Sequence, residues 1–251
     1  FPANKKYAIP LSITGASNYS LIPSQRSAIL LLNRSILSSV AKVSGGEGIR
    51  IKPVGMHTKA EWTIQMSAIY SSLTRSNLTT AYLSNGTGGE FYTRISSTAG
   101  IQVKNGRDGD DTWTQMPLQA GKWLHITYVH KDKKTTVYVN GKVQKVFENS
   151  AITFGENSMI VVGNSGYRND YLREIRLWDK ALTESEINDY LYLPMDPATP
   201  HLISYLPLSK EMETKDLKAP AGTENVTTKA RIEYVENVKF PADELVIVNQ
   251  E

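Results

Sequence analysis

Two groups of aromatic residues set among amide, guanidinium and carboxylate side chains are the features of this chain best suited to chemistry. Sugar binding needs an aromatic face for the apolar side of a pyranose ring, with planar hydrogen-bonding groups around it. One group is Trp113 beside Asp110 and Asp111, with Phe91, Tyr92 and Arg94 on the preceding strand. The other is Asn164, Tyr167, Arg168, Asn169, Asp170 and Tyr171. Each has a packing alternative: Trp113 caps the core, or Tyr167 packs its own loop. Tyrosines are ordinary residues of a β-rich chain, so their number alone argues nothing.

Other chemistries find less support. Asp108, Asp110 and Asp111 are concentrated in one loop and could hold Ca²⁺. The run departs from an EF-hand, however, because two of its acids are adjacent and Gln119 stands where a bidentate Glu is needed. A solvated hairpin tip is the favoured reading, and no cofactor is expected. Glycoside hydrolysis needs two carboxylates aimed into one groove, about 5 to 9.5 Å apart. Glu233 and Glu236 are the nearest pair, but their odd spacing puts them on opposite faces of a strand. The histidines are His57, His125, His130 and His201; none pairs at H-x-x-x-H spacing, and no Gly-x-Ser-x-Gly turn is present. The chain is therefore expected not to be an enzyme.

The elements that must position these residues are mostly strands. Trp62–Tyr70 alternates so that Trp62, Ile64, Met66 and Ala68 share a core face. Thr79–Leu83 and Glu90–Ile95 form a hairpin, with turns expected at Asn105-Gly106 and Asp108-Gly109. Thr135–Val139 and Lys142–Phe147 flank Asn140-Gly141, the pair a type I′ turn requires. Met159–Val162 is a buried strand ending at Gly163, and Asn164–Asp170 is turn-rich. From Tyr171 to Trp178 alternation resumes, with Ile175 and Leu177 on one face and Leu172, Glu174, Arg176 and Trp178 on the other. Thr183 and Glu186 then have the spacing of a capping box, Leu182 and Ile187 that of a hydrophobic staple, and Pro194 stops the helix soon after. Glu184 and Glu186 are accounted for by that helix start. Arg231–Val235 and Val238–Ile247 supply further strands.

The strand end and helix start RLWDKALTESEI resembles the laminin-G-like, concanavalin-A-type jelly rolls. Trp123–Tyr128 and Tyr138-Val139-Asn140-Gly141-Lys142 resemble that family's central strand and hairpin, and Leu202–Leu208 the strand after the helix. The resemblance covers roughly residues 48 to 210. It implies an all-β, antiparallel two-sheet sandwich with one short helix, and His125 stands where the family often has a histidine. The E-x-D-x-x-E signature of laminarinase-type relatives is absent. Residues 7–17, YAIPLSITGAS, resemble the end of the N-terminal sandwich of bacterial surface lipoproteins that often carry a laminin-G-like domain next. The resemblance implies a cell-surface, outer-membrane lipoprotein that binds a glycan and works beside other glycan-utilisation proteins. A structural or protein-interaction module is the alternative, and a glycoside hydrolase a more distant one.

Composition bounds these readings. With 28 basic and 25 acidic residues the net charge of +3 is too small and too scattered to argue for nucleic acid. There is no cysteine, hence no disulfide or thiolate site; animal laminin-G domains usually carry a disulfide, so the resemblance leans to a bacterial relative. Asn18, Asn33, Asn77, Asn85 and Asn225 begin Asn-x-Ser/Thr triplets, expected by chance in so polar a chain. The longest apolar run, Ala28–Leu32, is far short of a membrane span, so membrane attachment would need a lipid anchor outside the chain. The first residue is Phe1, which fits removal of an upstream segment. Residues 1–40 are read as closing strands of an upstream β unit plus a linker (Ser35–Gly48, loosened by its glycines), and 41–251 as the jelly roll.

Overall fold

The computed structural model describes residues 6–12, 27–33, 36–54, 60–74, 76–82, 91–104, 112–148, 152–155, 157–163 and 167–249. The chain divides into two compact units, Phe1–Ile36 and Leu37–Glu251. In the first, β1 (Lys6–Ser12) pairs antiparallel with β2 (Ser27–Asn33), from Lys6 opposite Asn33 to Ser12 opposite Ser27.

The second unit is a sandwich. Its strands are β3 (Ile36–Gly45), β4 (Ile49–Ile51), β5 (Trp62–Ile69), β6 (Ser76–Tyr82), β7 (Phe91–Ser96) and β8 (Gly100–Lys104). After them come β9 (Trp123–Lys131), β10 (Lys134–Val139), β11 (Lys142–Glu148), β12 (Met159–Val162) and β13 (Tyr167–Trp178). Helix α1 (Glu184–Tyr190) precedes β14 (Leu202–Leu206), β15 (Val226–Thr227) and β16 (Arg231–Phe240). Among the described residues one sheet has eight strands, β11-β10-β9-β5-β13-β3-β16 with β14 on β13, and the other six, β15-β4-β12-β6-β7-β8.

Alternation builds the core between the sheets. Trp62, Ile64, Met66 and Ala68 are fully buried, as their spacing requires, and meet Phe91, Ile95, Ile101, Ile160 and Val162 of the smaller sheet in one cluster. Trp62 fixes the centre: its indole donates to Ile152 O at 2.9 Å, stacks on His130 and meets Phe91 and Phe154 edge-on. The β10–β11 turn has Asn140 and Gly141 at φ 51° and 77°, the left-handed geometry the dipeptide was expected to supply.

A second, smaller cluster lies on the other face of the larger sheet. Leu182 and Ile187 pack there with Val129, Tyr138, Trp178, Leu202 and Tyr205. Thr183 caps α1 as expected, its hydroxyl accepting from Glu186 N at 3.2 Å while the Glu186 carboxylate accepts from Thr183 N at 2.9 Å. A helix of 7 residues, about two turns, has little stability of its own, so packing on the sheet holds it.

The structure corrects four local expectations, the first being that Arg231–Val235 and Val238–Ile247 are not two strands but one, Arg231–Phe240, with 241–247 outside it. Residues 36–45, read as linker, are a strand, because Val40, Ala41 and Val43 are apolar enough to bury between β13 and β16. Leu172 joins the core face with Ile175, because the pairing of β13 with β5 shifts register between Leu172 and Glu174. Tyr167–Asp170, read as loop, begins β13, with a second shift between Arg168 and Asp170 and Asn169 at φ 62°.

Candidate functional site

Strand alternation turns Phe91, Thr93 and Ile95 of β7 inward, all buried, and presents Tyr92 and Arg94 outward, both half-buried. Cross-strand partners share a face. Tyr92 lies opposite Lys104, and Arg94 opposite Gln102, which is bridged in turn to Trp113. The outward face of the smaller sheet at its β7–β8 edge thus carries two adjacent rows, Tyr92–Lys104 and Arg94–Gln102–Trp113. The Tyr92 ring has the Arg94 guanidinium carbon 5.3 Å and the Lys104 ammonium 5.2 Å from its centre. Gln102 donates to Thr112 Oγ1 at 2.8 Å, while its own amide oxygen is buried without a partner. Lys145 reaches over to donate to Trp113 O at 2.7 Å.

The fold therefore brings Tyr92, Arg94 and Trp113 together, but not as a set of open rings. Trp113 is only 4 % exposed, so its indole is a packing element and offers no free face to a sugar. Phe91 is in the core. Tyr92 is the aromatic ring of this group left partly open. Asp108, Asp110 and Asp111 lie outside the described residues.

The second group is split by its strand. Tyr167 turns inward, buried, and donates to Val162 O at 2.9 Å; burial pushes its hydroxyl pKa far up, so it stays a phenol. Asp170 accepts from Ser71 N at 2.7 Å, Ser71 Oγ at 2.9 Å and Arg168 N at 3.1 Å, which pins the two crossing chains. Arg168 and Asn169 are exposed and Tyr171 half-buried, while Asn164 lies outside the described residues. Tyr167 and Asp170 hold structure here, and the side chains facing solvent are the polar ones.

Sequence reasoning missed a polar layer on the helix-covered face of the larger sheet. Gln65, Ser67, His125, Thr127, Glu174 and Arg176 are all buried there. Their signal is visible only once register is known: Ser67 lies opposite both His125 and Glu174. Ser67 Oγ is 2.6 Å from His125 Nδ1, which resembles a nucleophile and its base. The wiring runs the wrong way. Trp178 Nε1 donates to Gln65 Oε1 at 2.8 Å, which turns the Gln65 amide nitrogen toward His125 Nε2, 3.5 Å away. With Nε2 accepting from that amide, Nδ1–H is left to donate to Ser67 Oγ, which is not the arrangement of a nucleophile and its base. Glu174 is equally committed. Burial alone would raise its pKa, but the Arg176 and Arg173 guanidinium groups outweigh burial and hold it below the ordinary range. It is a fixed anion, unsuited to general acid work. Glu233 and Glu236 are engaged in separate ion pairs with Arg231 and Lys210. Among the described residues no cluster of three His, Asp or Glu side chains could hold a metal ion.

Comparison with known proteins adds context. Residues 44–188 match the family described as the concanavalin A-like lectin/glucanases superfamily. A Bacteroides ovatus protein described as a "putative carbohydrate binding protein" is similar in structure at a TM-score of 0.62 and 18 % identity, over 99 % of this chain and 72 % of that one. The heptameric SAP-like pentraxin of Limulus polyphemus is similar at 0.53 and 13 % identity, over 79 % of this chain and 94 % of that one. Domain 4 of an extracellular arabinanase from Geobacillus stearothermophilus, solved with arabinotriose, reaches 0.46 and 15 % identity over 72 % and 86 %. Identities this low speak to the fold alone. Among curated proteins none matches the chain.

Proposed function

This chain belongs to the concanavalin A-like lectin/glucanases superfamily, and from that premise we propose that it binds carbohydrate without acting on it. The family and the Bacteroides relative support carbohydrate binding in general; fold by itself does not settle activity. The observation that carries the reading here is the outward pair of rows at the β7–β8 edge, where the half-open Tyr92 ring stands among Arg94, Lys104 and Gln102. A ring for a pyranose face and planar or cationic donors around it are what saccharide recognition uses. The non-catalytic part of the reading is supported by Glu174 and Glu236, which are already committed to arginine and lysine partners. A role at the bacterial outer surface, as the binding part of a lipoprotein serving glycan utilisation, rests on the resemblance of residues 7–17 and is proposed with it.

Affinity electrophoresis of the whole chain in a panel of polysaccharides tests this. Retardation is expected in at least one gel, with Tyr92→Ala weakening it about tenfold, in keeping with loss of one stacking ring. No retardation in any gel, or release of reducing sugar from the same panel, overturns the reading. The rival reading as a protein-interaction module draws on edge strand β11, where Val143 and Val146 are exposed; it gains if the panel is silent.

A further inference from the structure

A buried indole N–H usually finds an acceptor. Those of Trp62 and Trp178 do, in Ile152 O at 2.9 Å and Gln65 Oε1 at 2.8 Å. Trp123, which opens β9, differs from them. It is 5 % exposed, and its Nε1 is buried without a hydrogen-bond partner in the protein. Trp123 lines a small pocket on the helix-covered face of the larger sheet, with His125, Asn140, Tyr192, Phe240 and Asp243 around it. The volume of about 20 Å³ has room for one water-sized group. Asn140 and Asp243 are exposed, which brings the mouth of the pocket to the surface.

The wall is aromatic. Phe240 meets Trp123 edge-on with ring centres 5.3 Å apart, and the half-buried Tyr192 at 5.8 Å. Most polar groups inside are already engaged. Ser67 Oγ and His125 Nδ1 hold each other at 2.6 Å, while Asn140 accepts from His125 N at 2.8 Å and donates to Trp123 O at 3.4 Å. What is left is the Trp123 N–H within and the Asp243 carboxylate at the rim. Trp123 N donates to Asp243 O at 2.8 Å, which fixes the rim against β9. Burial and the Asp243 charge together push the Tyr192 pKa up, so its hydroxyl stays neutral there. A donor inside and a carboxylate outside suit a hydroxyl group, which accepts through its oxygen and donates through its hydrogen. A carboxylate or sulfate would meet the charge of Asp243, and an apolar group would leave the indole N–H unpaired.

We propose that this pocket receives one hydroxyl of a neutral sugar, with Trp123 Nε1 donating to its oxygen and the Asp243 carboxylate accepting from its O–H. It rests on the reading that the chain binds glycans, but shares no residue with the Tyr92 face. Trp123 and Phe240 belong to the eight-stranded sheet and Tyr92 to the six-stranded one. The pinned Asn140 and Asp243 backbone lose little freedom on binding, which favours even a small ligand.

The test follows the indole N–H resonances of the ¹⁵N-labelled whole chain during titration with galactose, mannose, xylose, arabinose and galacturonate. Trp123→Phe identifies the Trp123 resonance. A saturable shift of that resonance with at least one neutral sugar is expected, with those of Trp62 and Trp178 still. Asp243→Ala should weaken the binding about tenfold, and Tyr92→Ala should leave it unchanged. Asp243 is exposed and its backbone bond to Trp123 survives the substitution, so that variant should keep the wild-type melting temperature. A Trp123 resonance indifferent to every sugar means that the pocket takes water only and overturns the proposal. A shift with galacturonate alone, or one that Asp243→Ala does not weaken, overturns it too. In each of these cases retention of the chain in the polysaccharide gels leaves glycan binding standing, whereas an unmoved resonance and no retention overturn both.

Discussion

Arg176→Met should cost the sandwich about 3–5 kcal/mol, the usual penalty for breaking a buried ion pair from one side. The Arg176 side chain is fully buried. Its guanidinium lies 2.8 Å from Glu174 Oε1 and donates to Glu174 Oε2 at 3.2 Å, to Tyr190 O at 3.1 Å and to Leu193 O at 2.6 Å. Methionine fills a similar volume, so the loss is mainly electrostatic and hydrogen-bonding. Glu174 keeps only Arg173 as a direct ion partner, Leu193 O loses the guanidinium, and Tyr190 O keeps only Leu193 N at 3.3 Å. For a unit of this size that loss lowers the melting temperature by roughly 6–20 °C. Urea unfolding followed by tryptophan fluorescence, alongside calorimetry, measures it. Glu174→Gln/Arg176→Met should be less destabilised than the sum of the two single variants, because the stranded anion is gone. Acidity should tell the same story. The lowered Glu174 pKa means its stabilisation is present above the unfolded value and is lost as pH falls through the folded one. An Arg176→Met cost below about 1 kcal/mol, or strict additivity in the cycle, would refute the clamp.

Three further outcomes are expected. His130 is buried, with Ile152 N donating to its Nε2 at 3.1 Å and Thr135 Oγ1 3.0 Å from its Nδ1, and burial lowers its pKa from 6.5 to about 4. Since the unfolded chain takes the proton first, stability should fall by roughly 3 kcal/mol between pH 6.5 and 4 and then level off; His130→Gln should flatten that segment of a urea-midpoint profile, and an unchanged slope would count against it. Gly163 sits at φ 75°, where an added Cβ would come within 2.1 Å of the Tyr167 ring. Gly163→Ala should therefore displace Tyr167 and destabilise by about 2–4 kcal/mol, less than additively with Tyr167→Phe, in the same urea assay. The binding proposed here requires no metal, so EDTA should leave the melting temperature unchanged; a drop restored by Ca²⁺ would overturn this.

Much of the architecture was legible because it depends on local periods. The buried face of β5, the Asn140-Gly141 turn and the Thr183–Glu186 box each need only residues close in sequence. What escaped depends on pairing between distant segments. Alternation through residues 167–178 is interrupted twice by register shifts, which moved Leu172 to the core and took Tyr167–Asp170 out of the expected loop. The Ser67–His125–Glu174 row could not be seen until three strands were aligned. The candidate site was harder still. Residue type marks Trp113 and Tyr92 as equal candidates, yet side-chain burial leaves only Tyr92 with an open ring.

Helix α1 and the chain after it close the outer side of the larger sheet over Trp178, Tyr138 and Leu202. The centre of that sheet, β5, β9 and β13, consequently acts as a slab packed above and below, where a substitution must satisfy two interiors at once. Tolerance for new side chains is concentrated elsewhere, on the outward positions of β7 and β8. A combinatorial library aimed at altered saccharide preference should be confined to those positions, because the helix-bearing half is the chassis that keeps them in register.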